Sequence, residues 1–164
     1  MGNLNLGNVG EIQNPIKLEV NWPQKANFAV CLTHDVDRTK KTYQYLTHLL
    51  KRPSFKSFKN FFYRDQEPYW QFENIMALED HHKVRSTFFF LNETIPFRFL
   101  DKSNWPQSLG RYDINSNKIK DMIVKLDKGG WEIGLHGSIA SYNNLDLLQK
   151  EKETLENIIG KKII

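Results

Sequence analysis

Cysteine is nearly absent. Cys31 stands alone, so no disulfide can form within the chain. It lies inside the apolar run "NFAVCLT", where the expectation is a buried structural thiol that fills space as a small hydrophobe. Long apolar runs are missing too: none approaches the roughly 18–20 residues of a membrane helix, so no membrane span is expected. The start "MGNLNLGNVGEIQNP" lacks the basic-then-apolar order of a signal peptide, and Leu6 stands where a myristoylation signal has Ser or Thr. The chain as given is therefore expected in the cytoplasm. Acidic residues are locally scarce as well. From Arg38 to Arg64 there are eight Lys or Arg and no Asp or Glu, a run that reads as a solvated basic helix before it reads as a surface for an anionic partner.

What is present suits one globular domain. At 164 residues, with 40% hydrophobic and 13% aromatic content, the chain is long enough to bury a core and too short for two domains. Residues 1–26, with scattered Asn, Gly and Pro, read as an extended lead-in, and residues 27–164 as the folded domain.

Within that domain strand and helix patterns alternate. "NFAVCLT" reads as a buried strand, and "RTKKTYQYLTHLLKR" as a helix ending before Pro53. The aromatic, basic stretch "SFKSFKNFFYRDQEPYW" has no clear assignment, and "YWQFENIMALEDHHK" reads as a helix leading into the strand "STFFFL". After an irregular passage through "PFRFLDKSNWPQSLGRYD", "NSNKIKDMIVKLDKGG" shows a capping Asn or Ser, a helical apolar period and a double-glycine stop. "WEIGL" is a third strand and "HGSIASYNN" a loop. "NLDLLQKEKETLENIIGKK" is a helix stopping at Gly160, and "KKII" opens what reads as a fourth strand. Such alternation predicts a parallel α/β fold, and the unfinished last strand suggests a fragment of a longer protein. An unfinished sheet edge would invite pairing between copies.

The chemistry gathers where strands end. Asp35 and Asp37 are two residues apart, so an extended chain points both the same way, with Thr33 below them. Two like charges in one small space are best explained by a cation or a shared proton between them. His136 ends the third strand, and in parallel α/β folds the carboxyl ends of strands form one functional rim. Carboxylate with imidazole suits a divalent metal, zinc first, with cobalt, manganese or iron as alternatives.

Other residues carry plainer readings. Asp37 could cap a helix starting near Thr39, and His136 could satisfy a loop carbonyl. His34 alternates away from the two acids and is expected to fix the loop. His81 and His82 end a helix, where the dipole favours them, and His48 sits on an exposed basic face. Phe55, Phe58, Phe61, Phe62, Tyr63, Tyr69, Trp70 and Phe72 fit a core face at spacings of three and four, ahead of a sugar-stacking wall. No nucleic-acid partner is expected, because no recognisable nucleic-acid fold accompanies those aromatics.

"FAVCLTHDVD", "STFFFL" and "GGWEIGLHGS", in that order and with a helix before each of the latter two, resemble the polysaccharide deacetylase family, carbohydrate esterase family 4. The resemblance covers residues 27–164 and implies part of a distorted (β/α) barrel, its first three to four strands. It implies Asp35 as general base, Asp37 and His136 as metal ligands, and an N-acetylated glycan as substrate, deacetylated to a free amine and acetate. The family's second motif has a further histidine where this chain has Ala140, and its later motifs, with a general acid and the third ligand, would lie beyond Ile164.

Two alternatives stay open. Asp35-Val36-Asp37-Arg38-Thr39 fits the D-x-D-x-T signature of haloacid-dehalogenase-like phosphatases, although Thr33 and His34 interrupt the apolar residues that usually precede it. A degenerate carbohydrate-binding domain would keep the fold without the metal, in line with Ala140.

Overall fold

The computed structural model describes residues 26–40 and 68–163. The chain divides into two units, Met1–Val30 and Cys31–Ile164. Of the first, residues 26–30 are irregular and exposed. The predicted helix at 38–52, His48 and the aromatics from Phe55 to Tyr63 fall almost wholly or wholly outside the described residues.

The second unit is α/β. It contains strand β1 (Thr33–Val36), helix α1 (Phe72–His82), strand β2 (Thr87–Leu91) and the single-turn helix α2 (Trp105–Ser108). Helix α3 (Asn117–Lys128), strand β3 (Glu132–His136), a 3₁₀ turn (Ile139–Ser141) and helix α4 (Leu145–Ile159) follow. The three strands form a parallel sheet in the order β1-β2-β3. Among the described residues no helix is long and apolar enough to cross a membrane.

The central strand explains itself. Phe88 and Phe90 alternate onto one face and meet Phe72 of α1, each with ring centroids 6.0 Å apart. Phe89 turns to the other face, where it lies over Gly134 of β3. A Cβ built at position 134 would come within 2.5 Å of that ring, so glycine lets the two strands pair with an aromatic between them. Helix α3 presents Ile119, Met122, Ile123 and Leu126, the i, i+3, i+4, i+7 stripe, and all four are buried. They join Trp131, Ile133 and Leu155 in one core with the β2 phenylalanines.

Two expectations about the first strand are corrected. The strand spans Thr33–Val36, not residues 27–33, and Phe28 and Val30 are 73% and 70% exposed. Its length is limited by its partner: β2 starts at Thr87, which pairs with Thr33, and the chain before it is the loop at 83–86. The last contact upstream is Thr87 N–H donating to Leu32 O at 3.0 Å. Cys31 precedes the paired segment and is exposed, so it is not the buried thiol expected.

Two other ends differ in detail. Ser116 sits at the N-cap of α3, but its hydroxyl donates to Asp113 O instead of accepting from the helix. Helix α4 stops at Gly160 as predicted, in the left-handed conformation that glycine adopts without strain. Residues 161–163 form no strand. Ile163 is buried in the core, and its N–H donates to Glu156 Oε1.

Candidate functional site

Register fixes the site. Val36 pairs with Phe90, and Leu91 with His136, so Asp37, the next residue after β1, comes level with Leu91 and His136. Asp37 and His136 thus stand on the two outer strands at the carboxyl rim, with β2 between their backbones, a separation of about 10 Å at ordinary strand spacing. Asp35 lies two residues lower, level with Phe89 and Gly134.

His136 is held by its own loop. Nδ1 lies 3.0 Å from Gly137 O, and a carbonyl can only accept, so Nδ1 carries the hydrogen and Nε2 keeps the lone pair in the neutral ring. A ligating histidine is commonly oriented this way, through a backbone carbonyl on its other nitrogen. The loop is anchored in turn by Glu151 of α4, which is 1% exposed and accepts from both the N–H and the hydroxyl of Ser138. Ser141 N–H donates to Ser138 Oγ, closing the turn. From the end of β2, Glu93 accepts the Ile139 N–H at 3.2 Å and ties the two loops together. Ala140, at the place of the family's second histidine, is exposed in the 3₁₀ turn.

Asp37 is held by a residue that periodicity could not reveal. Arg111 Nη1 lies 3.2 Å from Asp37 Oδ1 and 3.2 Å from its main-chain carbonyl, while Arg111 Nε donates to Gln107 O at 2.9 Å. The neighbouring Tyr112 hydroxyl donates to Val36 O and accepts from Leu91 N–H, both at 2.7 Å, bridging the ends of β1 and β2. Burial pushes the Tyr112 hydroxyl pKa well above its usual value, so it stays a proton donor. Both residues come from the irregular passage before α3, which shows no pattern beyond being irregular.

Asp35 is exposed and opens onto a groove of about 320 Å³ with Thr33, His34, Arg38, Tyr69 and Gln71 among its walls. His34 leaves this pair of acids, as alternation predicts, but it does not fix a loop. Its Nε2 lies 2.8 Å from Glu79 Oε1 on α1, and its ring packs at a tilt against Phe88, with centroids 4.7 Å apart. Glu79 also accepts from Ser86 N–H, Ser86 Oγ and Trp131 Nε1. Burial raises its pKa, and the hydrogen bonds from His34, Ser86 and Trp131 outweigh that and lower it overall. The carboxylate therefore stays charged at the amino side of the sheet, joining β1, β2 and β3. His81 and His82 are exposed in the last turn of α1, at the same amino side.

The chain was compared with family models, curated proteins and solved structures, and none matches it. Among the described residues no three His, Cys, Asp or Glu side chains converge as a group that could hold a metal ion. The rim offers two donors of suitable chemistry, the Asp37 carboxylate and His136 Nε2. Their second contacts, Arg111 and Gly137 O, leave one carboxylate oxygen and one ring nitrogen for such an ion.

Proposed function

We propose that the protein is a metal-dependent deacetylase of the polysaccharide deacetylase type, acting on an N-acetylated glycan, its sheet part of a distorted (β/α) barrel. The observation that supports it is the shared level of Asp37 and His136 at the carboxyl rim, with Asp35 two residues along the same chain. Asp37 and His136 would hold the divalent metal, zinc first, and other coordination positions go to water or to groups outside the described residues. A divalent ion held by these residues would supply Lewis-acid chemistry, polarising an acyl carbonyl and lowering the pKa of a water molecule.

The chain's own residues supply the rest. Arg111 keeps the Asp37 carboxylate in one orientation, and the Gly137 carbonyl keeps His136 in the tautomer with Nε2 unprotonated. Asp35, exposed at the groove, takes the proton from water as general base. The water oxygen bonds to the acetyl carbon, the C–N bond breaks as the nitrogen takes up the proton that Asp35 received from the water, and the sugar amine and acetate leave.

Elemental analysis of the purified chain, with Asp37→Ala and His136→Ala alongside, tests the site. The expected result is bound zinc, or cobalt, manganese or iron after reconstitution, that each substitution removes while near-UV circular dichroism is unchanged. Release of acetate from an N-acetylated oligosaccharide then separates this reading from a phosphatase, which would release phosphate. Glycan binding that is indifferent to both substitutions and to chelator would sink the enzyme in favour of a binding module.

A further inference from the structure

Beside Asp37 a second cleft of about 300 Å³ is lined by Thr39, Lys40, Trp70, Arg111, Asp113 and Lys118, among others. Thr39 is 3% exposed, yet its hydroxyl makes no hydrogen bond among the described residues. No fully buried side-chain polar atom there lacks a partner, so the Thr39 oxygen must reach the cleft surface. At that surface the hydroxyl is open to a hydrogen bond from water or from a bound ligand.

The charge of the walls favours an anionic ligand. Three cationic side chains, Lys40, Arg111 and Lys118, line the cleft with one carboxylate, Asp113. Arg111 is already paired with Asp37, and Asp113 Oδ1 accepts from Asn115 N–H, which leaves the two lysines as the cleft's excess charge. Lys118 Nζ sits 3.8 Å above the Trp70 ring, which holds the ammonium at the wall. Helix α3 begins beside it with no acidic side chain in its first turn, so its N-terminus adds positive potential. The volume lies at the lower end for small-molecule sites and suits a single sugar-sized group.

We infer that this cleft is an anion-binding subsite that takes the carboxylate or phosphate of an acidic sugar. Arg111 connects it to the rim, because the guanidinium that lines the cleft also holds Asp37. The assignment deepens the deacetylase reading and rests on it only for the claim that the anionic group belongs to the deacetylated glycan.

Isothermal titration at low ionic strength tests it, with three probes: N-acetylglucosamine phosphate, an N-acetylglucosamine–glucuronate disaccharide, and neutral di-N-acetylchitobiose. At least one anionic probe is expected to bind about tenfold or more tighter than the neutral one, with the advantage shrinking as salt is added. Preference for the phosphate or the uronate identifies the source of the anion. Thr39→Val and Lys118→Gln should each reduce that preference, whereas His136→Ala should leave it intact. Equal binding of all three probes overturns the inference, and so does a preference that survives both cleft substitutions. Should Thr39→Val fail to fold, Lys118→Gln decides alone. Absence of acetate release with the anion preference retained would count against the deacetylase reading alone.

Discussion

Arg111 holds Asp37 from two directions, its Nη1 lying 3.2 Å from both the carboxylate Oδ1 and the main-chain carbonyl of the same residue. Gripping backbone and side chain together fixes the aspartate's rotamer as well as its position. The Arg111 side chain is 15% exposed and that of Asp37 50%, so the pair is anchored on the protein side and open on the other.

Substituting Arg111→Lys keeps the charge and loses the fork. On the proposed metal site, affinity for the ion is expected to fall by about 10- to 100-fold, the usual effect of removing a group that orients a ligand. Titration with a competing chelator would measure it, and affinity equal to that of the parent would show that Asp37 needs no such support.

Removing one oxygen in Tyr112→Phe leaves Val36 O and Leu91 N–H without their shared partner at the rim. A loss of about 1–3 kcal/mol is expected in urea unfolding, with an unchanged slope. A midpoint within error of the parent would mean that the two strand ends pair directly once the hydroxyl is gone.

Glu79 gives the protein an acid-side sensitivity. Because its folded pKa lies below the ordinary 4.5, the unfolded chain takes up this proton first as pH falls. Stability from this group is therefore full above about that value and declines as pH drops through the folded pKa. Glu79→Gln should be less stable at neutral pH and should show a shallower decline between neutral and acid pH. Parallel pH profiles for the two proteins would assign the acid sensitivity elsewhere.

At Gly134 an added methyl meets the Phe89 ring at 2.5 Å. Gly134→Ala should destabilise by about 1–3 kcal/mol, and Phe89→Leu in the same chain should recover part of the loss. Strictly additive effects in that double-mutant cycle would argue that the ring is not what the glycine accommodates.

Much of the frame is written in local pattern. The i, i+3, i+4, i+7 stripe of α3, the Phe-rich run of β2 and the Gly160 stop each depend on residues near in sequence, and each appears where the pattern put it. The sequence alone also marked Asp35, Asp37 and His136 as residues at strand ends. It misjudged the first strand because pairing depends on where β2 begins, 54 residues after Thr33 in the ladder Thr33↔Thr87, and for the same reason Cys31 lies outside the sheet.

Only the tertiary structure decided who supports those strand-end residues. Arg111 reaches Asp37 across 74 positions, Tyr112 reaches Val36 across 76, and Trp131 reaches Glu79 across 52. A single arginine or tyrosine in an irregular segment leaves no period to read, because its role comes from the parallel sheet that brings distant chain ends to one rim. Apolar periodicity is a property of neighbours, and it settled the elements. Hydrogen bonding of the polar groups between elements is a property of the assembled fold, and it decided which groups hold Asp37, Val36 and Glu79.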